Sequence, residues 1–241
     1  PQFKEVLAKY DLKLVGINQH IGSLFMDGKP YVEGVKAILN IAKQFDDLEF
    51  VDLGGGFGIP YEKLNDQPRL DMVELGKQLD EVFEQFVKDY GKEITFKIEP
   101  GRYVSAECGV LLGTVTAVKH NGEDKYIGTD IGFNVLQRPV MYDSHHDIEV
   151  YNDSDNTEDV TVVGNICESG DILAKHRICP EMHVGDTMAM LDAGAYGYCM
   201  ASNYNNRLRP AEVLIRENGE AVLIRERDEL EDLTRHMKSI K

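Results

Sequence analysis

Residues 51–58 read VDLGGGFG: a short apolar run, three consecutive glycines and a fourth one position later. Glycine loses the most conformational freedom on ordering, so a cluster where a strand ends marks backbone that must pass where a side chain would collide. The segments on either side give the cluster its setting. LKLVGIN (12–18), LEFVDL (48–53) and ITFKI (94–98) are strand-like. Between them lie two long amphipathic patterns, YVEGVKAILNIAKQF (31–45), opened by Pro30, and LDMVELGKQLDEVFEQFVKDYG (70–91). Strands alternating with helices of that length predict βαβ units and a parallel sheet. Ligands in such sheets sit at the C-terminal strand ends, where loops and helix N-termini converge. The glycine loop stands at one such end, with QHIGS (19–23) and EPGR (99–102) at the other two.

After about residue 105 the texture changes. GVLLGTVTAVKH (109–120), YIGTD (126–130), DVTVVGN (159–165), DTMAML (186–191), AEVLIRE (211–217) and EAVLIRE (220–226) follow one another without long helical patterns. Asn-Gly pairs at 121–122 and 218–219 sit where hairpin turns belong. This predicts an antiparallel β-barrel or sandwich over 106–241, with DSHHDIEVYNDSDNTED (143–159) as an exposed loop or edge and DELEDLTRHM (228–237) as a closing helix. The first part, 1–105, reads as the C-terminal strands and helices of a (β/α)8 TIM-type barrel. Such a barrel needs eight strands and only three are legible, so the sequence is expected to be the C-terminal portion of a longer protein.

Composition removes several function classes. With 26 Lys+Arg against 42 Asp+Glu the formal charge is -16, and no basic block is present to track a phosphate backbone, so nucleic acid is not an expected partner. No apolar stretch approaches the roughly 20 residues a bilayer span needs, and the opening PQFKEVLAKY is an amphipathic helix pattern rather than a signal peptide, which points to the cytoplasm and away from membranes. Cys108, Cys167, Cys179 and Cys199 are scattered, without the paired spacing of a zinc site or the density of a disulfide scaffold. Reduced thiols and no metal are expected.

The three strand ends supply the chemistry. The glycines offer backbone N–H groups to an anion such as a phosphate, with a merely tight turn as the alternative reading. No Gly-Lys-Ser/Thr follows, and Ile59 occupies the last glycine position of a G-x-G-x-x-G pattern. Glu99, read as a carboxylate at the end of a buried strand, requires a cation: Arg102, a protonated ligand nitrogen, or Lys97 on the same strand face. His20 alone is a hydrogen-bonded structural residue as readily as a participant in chemistry.

HIGS, GGGFG, EPGRYVSAECG, CESGD (167–171) and DAGAYGYCMASNYNNRLRP (192–210), in this order, resemble the fold-type III pyridoxal-phosphate decarboxylases. CESGD, RPVMY (138–142) and the SNYN ending are most similar to the diaminopimelate decarboxylase family within that group. The resemblance implies pyridoxal 5'-phosphate as cofactor and decarboxylation of meso-2,6-diaminopimelate to L-lysine, the last step of lysine biosynthesis. It places His20 against the cofactor ring, Ser23, Gly54, Gly55, Gly56, Gly101, Arg102 and Tyr196 about the cofactor, and Glu99 at the ring nitrogen. Arg102, Arg138, Tyr142, Glu168 and Tyr196 become the substrate set, with Cys167 the acid that returns a proton to the decarboxylated carbon. It also implies a head-to-tail homodimer in which CESGD reaches the neighbouring subunit's pocket, so that 106–241 contributes both substrate-binding and interface residues.

The family carries its cofactor on a lysine of an early barrel strand, in a motif expected as Tyr-x-x-Lys or similar, and no such motif is read here. The chain alone is therefore expected to be inactive. FNVLQRP (133–139) departs from a more acidic or amide-bearing approach to Arg-Pro. A decarboxylase of ornithine, lysine or arginine shares His20, the glycines and EPGR. It has less need of a cationic and an acidic group together at the distal end of its substrate. A noncatalytic relative that lost the lysine, and a racemase, are the remaining alternatives.

Overall fold

A computed structural model describes residues 2–238. The chain divides between Ser105 and Ala106 into two compact units.

In the first unit α1 (Gln2–Lys9) buries no residue. Then β1 (Gly16–Asn18), α2 (Lys29–Ala42), β2 (Phe50–Asp52), α3 (Met72–Tyr90), β3 (Thr95–Lys97) and the short α4 (Gly101–Ser105) alternate as the sequence predicts. The strands form a parallel sheet in the order β1-β2-β3, with Ile17 opposite Val51 and Val51 opposite Phe96. Pro30 sits in the first turn of α2, where its missing N–H is not needed. Tyr31, Val35, Ile38, Leu39 and Ala42 recur at helical spacing and bury one face of α2 in the same core as Val51, Leu53 and Phe57 of the central strand and its loop. On α3, Asp71 caps the start by accepting the Glu74 N–H at 2.9 Å, and Gly91, at φ 78°, ends the helix in the left-handed conformation. Phe83 of α3 stacks on Phe96 of β3 with centroids 4.0 Å apart.

The second unit is built on β4 (Leu111–Asn121), β5 (Asp124–Thr129), β6 (Ile148–Tyr151), β7 (Thr157–Val163), β8 (Ile172–Pro180) and β9 (Thr187–Met190), with helix α5 (Arg138–Tyr142) between β5 and β6. Their order is β6-β9-β4-β5-β7-β8. The end strands β6 and β8 pack on each other, and Arg177 Nη1 donates to the His146 carbonyl at 3.0 Å, so the sheet nearly closes around Val115, Ile127, Leu136, Val162, Met188 and Met190. Two expectations need correction. The sheet is not wholly antiparallel, because β5 and β7 pair in parallel. Residues 143–159 do supply an edge strand, but they are not exposed throughout. They contain β6, and the polar His146 and Asp147 are 1% and 2% exposed. Both Asn-Gly turns are present, joining β4 to β5 and β10 (Glu212–Ile215) to β11 (Ala221–Arg225). The chain then enters α6 (Leu230–Thr234). No described helix is long and apolar enough to cross a membrane.

Asp228 ties the final segment to the loop before β10. Its carboxylate accepts from the Arg209 Nε, Nη2 and backbone N–H at 2.8, 3.1 and 3.0 Å and from Asn203 Nδ2 at 2.9 Å, and the Arg209 bond foremost holds its pKa well below the ordinary carboxylate range. A carboxyl depressed in the folded state stabilises above its unfolded pKa of about 3.9 and loses that contribution as the pH falls toward the folded value. Asp228→Asn is therefore expected to lower stability by about 1–2 kcal/mol near neutral pH. The gap between the urea midpoints of wild type and variant should begin to narrow as the pH falls below about 4 and go on narrowing toward the folded value.

Candidate functional site

In the first unit the parallel ladder continues past the strands into their tips. The Gln19 N–H donates to the Asp52 carbonyl at 3.0 Å, Leu53 to Lys97 at 2.9 Å and Glu99 to Gly54 at 3.0 Å. This brings His20, the glycines and Glu99 together, with the Gly55 N–H donating to His20 Nδ1 at 3.4 Å. A neutral His20 ring therefore keeps its proton on Nε2. A Cβ on Gly54 would lie 2.2 Å from the Gln19 carbonyl oxygen, one on Gly55 2.1 Å from that of Glu99, and one on Gly56 2.2 Å from that of Gly22. The glycines thus first of all let three loops touch. From Leu53 to Tyr61 the loop is buried except at Gly56, the one position from which backbone can face a ligand.

Arg102, at the start of α4, reaches back across this surface. Its Nη1 donates to the Tyr61 hydroxyl at 2.8 Å and its Nη2 to Ser23 Oγ at 3.1 Å. Glu99 is exposed, contrary to the expectation of a buried carboxylate, because β3 is an outer strand that turns only Phe96 inward. The Lys97 ammonium lies 3.8 Å from the Phe50 ring centroid, and no ion pair joins it to Glu99 among the described residues. The Tyr-x-x-Lys spacing does occur once, at Tyr10–Lys13. Lys13, however, lies before β1 and its Nζ pairs with Glu49 at 3.3 Å.

In the second unit the CESGD turn is organised by its last residue. Asp171, 4% exposed, accepts the N–H groups of Phe133 and Ile166 at 2.6 and 2.9 Å. Glu168 accepts from the Gly170 N–H at 3.1 Å and the Tyr204 hydroxyl at 2.9 Å. The Gly170 bond, then the Tyr204 bond, hold the Glu168 carboxyl below its usual range and keep it an anion, while the same contact raises the Tyr204 phenol. Cys167 is an exposed free thiol, and Tyr142 and Tyr196 are also exposed. Arg138 is 2% exposed, its Nη1 2.7 Å from His146 Nε2 and its Nη2 donating to Ser144 Oγ at 3.2 Å. His146 Nδ1 is 2.7 Å from the Leu191 carbonyl, which only accepts, so the ring donates there and accepts from Arg138.

Among the described residues with left-handed φ, apart from glycine and the tolerant Asp and Asn, are Leu24, His176 and Tyr196. Leu24 (φ 62°) adjoins Ser23, and Tyr196 (φ 59°) is itself a candidate; backbone strain of this kind gathers at binding loops. The sequence assigns no role to Tyr61 or Tyr204: Tyr61 carries no pattern, and Tyr204 lies in the SNYN ending without being singled out. The hydrogen bonds to Arg102 and Glu168 reveal them.

The family model described as pyridoxal-dependent decarboxylase, C-terminal sheet domain, matches residues 15–194. The chain belongs to the pyridoxal-dependent decarboxylases. Among curated decarboxylase relatives, the diaminopimelate decarboxylase of Methanothermobacter thermautotrophicus is 40% identical over 229 residues, covering 92% of this chain and 53% of the relative. That of Archaeoglobus fulgidus is 42% identical over 226 residues, covering 91% and 52%. The crystal structure of diaminopimelate decarboxylase from M. jannaschii in complex with L-lysine superposes with a TM-score of 0.89 at 33% identity, covering 99% of this chain and 56% of that one. The chain spans about half the length of the curated decarboxylases it matches.

Proposed function

We propose that this chain is part of a pyridoxal-phosphate enzyme that decarboxylates meso-2,6-diaminopimelate to L-lysine, the first unit being the closing part of a (β/α)8 barrel. The observation that carries the reading is the convergence of three strand tips at Gly55, which touches both His20 and Glu99. The donor set of the first unit fits the cofactor: a hydroxyl and a guanidinium 3.1 Å apart at Ser23 and Arg102, with Gly56 and Gly101 in the adjoining loops, suit a phosphate dianion. The exposed imidazole of His20 suits an aromatic ring face, and the Glu99 carboxylate suits a protonated ring nitrogen. When bound, the cofactor supplies the electron sink that loss of carbon dioxide requires.

Glu168, held as an anion, accepts the distal ammonium of the substrate. Arg102, Arg138, Tyr142 and Tyr196 answer its carboxylates, Arg138 by giving up its Ser144 or His146 bond. Cys167 delivers a proton to the carbon that has lost its carboxylate. The same reading includes a head-to-tail homodimer working in the cytoplasm, with CESGD offered to the neighbouring copy; the exposure of Cys167 supports that arrangement.

Native-length protein is expected to convert diaminopimelate to lysine and to leave ornithine, lysine and arginine untouched. Glu168→Gln should raise KM for diaminopimelate about tenfold, the worth of one charge-assisted contact, with the cofactor still bound. Equal turnover of ornithine, or an unchanged KM, sinks the assignment.

A further inference from the structure

The structure assigns Tyr61 as the positioning residue for Arg102, and so for recognition of the cofactor's phosphate; this rests on the phosphate reading above. Arg102 offers a charge on a long, rotatable side chain, and a guanidinium gains directional strength only when its plane is fixed. Tyr61 is built to fix it. The phenol is 4% exposed and ends the buried run Phe57–Tyr61, so its ring has little freedom. The Tyr61 hydroxyl oxygen accepts from Arg102 Nη1 at 2.8 Å, and the guanidinium carbon stands 5.7 Å from the centroid of the same ring. Nη2 of the same fork meets Ser23 Oγ at 3.1 Å. The guanidinium therefore bridges a fixed phenol and the hydroxyl of the HIGS loop.

Tyr61 also belongs to the loop that carries Gly54–Gly56. One segment after β2 thus supplies the backbone that faces an anion and the anchor that aligns the cation beside it. Without the hydroxyl, the fork loses a fixed point that helps define its plane. The loss should be felt by a phosphorylated ligand and not by its dephosphorylated counterpart.

The test uses native-length apoprotein titrated with pyridoxal phosphate and, separately, with pyridoxal, read by absorbance and by quenching of protein fluorescence. Tyr61→Phe is expected to weaken pyridoxal phosphate about tenfold and pyridoxal less than about twofold. Arg102→Lys should show the same selectivity. Tyr61→Phe added to Arg102→Lys should change little further, because the two act as one unit, whereas a phenol that only packs would add its full effect. Equal losses for both ligands, or full additivity, overturn the role of Tyr61 and leave the phosphate reading standing. Wild type that binds pyridoxal as tightly as pyridoxal phosphate overturns the phosphate reading itself and Tyr61 with it.

Discussion

Gly55→Ala is expected to abolish cofactor binding and to destabilise the protein by more than about 3 kcal/mol, beyond the usual range for overpacking. The added methyl would sit 2.1 Å from the Glu99 carbonyl oxygen, a contact between two backbones with no flexible side chain to yield. Neither side can retreat cheaply. The Glu99 carbonyl accepts the Gly101 N–H at 2.9 Å, and the Glu99 N–H donates to the Gly54 carbonyl at 3.0 Å, so moving one strand tip undoes the other. The same shift would carry His20 away, since its Nδ1 rests on the Gly55 N–H. Gly76→Ala is the control. It lies inside α3 with nothing within 4 Å of the new Cβ, and alanine there should stabilise by about 0.5–1 kcal/mol. Urea midpoints and pyridoxal-phosphate titration of both variants decide the matter. A Gly55→Ala protein as stable as wild type would mean that the three tips are not fused.

That collision marks how far the sequence could be read. The alternation of apolar periodicity and the placement of His20, the glycines and Glu99 at strand ends are local patterns, and the structure keeps them. What the glycines are near is not local. The sequence reads as backbone laid open to an anion, whereas Gly54 and Gly55 are closed over by neighbouring loops and only Gly56 is left part-exposed. Glu99 reads as buried because its strand looks like a central one, and no residue type announces that β3 is an outer strand. In the second unit the parallel pairing of β5 with β7 leaves no trace in a period-2 pattern, which is the same for either direction. β8 escapes because Lys175, His176 and Arg177 interrupt it, and β6 because the preceding His146 and Asp147 are polar. His146 and Asp147 are buried and hydrogen-bonded, to the Leu191 carbonyl and to His145, and composition does not show partners.

The CESGD turn makes the same point with a measurable consequence: Asp171→Ala is expected to cost about 3 kcal/mol and to remove saturation by diaminopimelate. The motif draws attention to Cys167 and Glu168, yet its buried carboxylate is what holds the turn. One oxygen accepts from Phe133 and the other from Ile166, the Asp171 N–H donates to the Glu168 carbonyl at 3.0 Å, and the Asp171 carbonyl accepts the Gly164 N–H at 3.0 Å. The carboxylate occupies the space a Cβ would take at Gly164, 2.2 Å away, and at Gly132, 2.7 Å away, so those glycines exist to admit it. Truncation leaves two backbone N–H groups without acceptors, at about 1–3 kcal/mol each, and frees the turn that aims Glu168. Asp171→Asn should not rescue it. Both oxygens accept from backbone N–H groups, and an amide must point its own N–H at one of them. Near-equal losses of thermal midpoint and of substrate affinity in the Ala and Asn variants, with pyridoxal-phosphate titration unchanged, are the expected result. An Asn variant that behaves as wild type would show that shape, and not a pair of accepted hydrogen bonds, sets the turn.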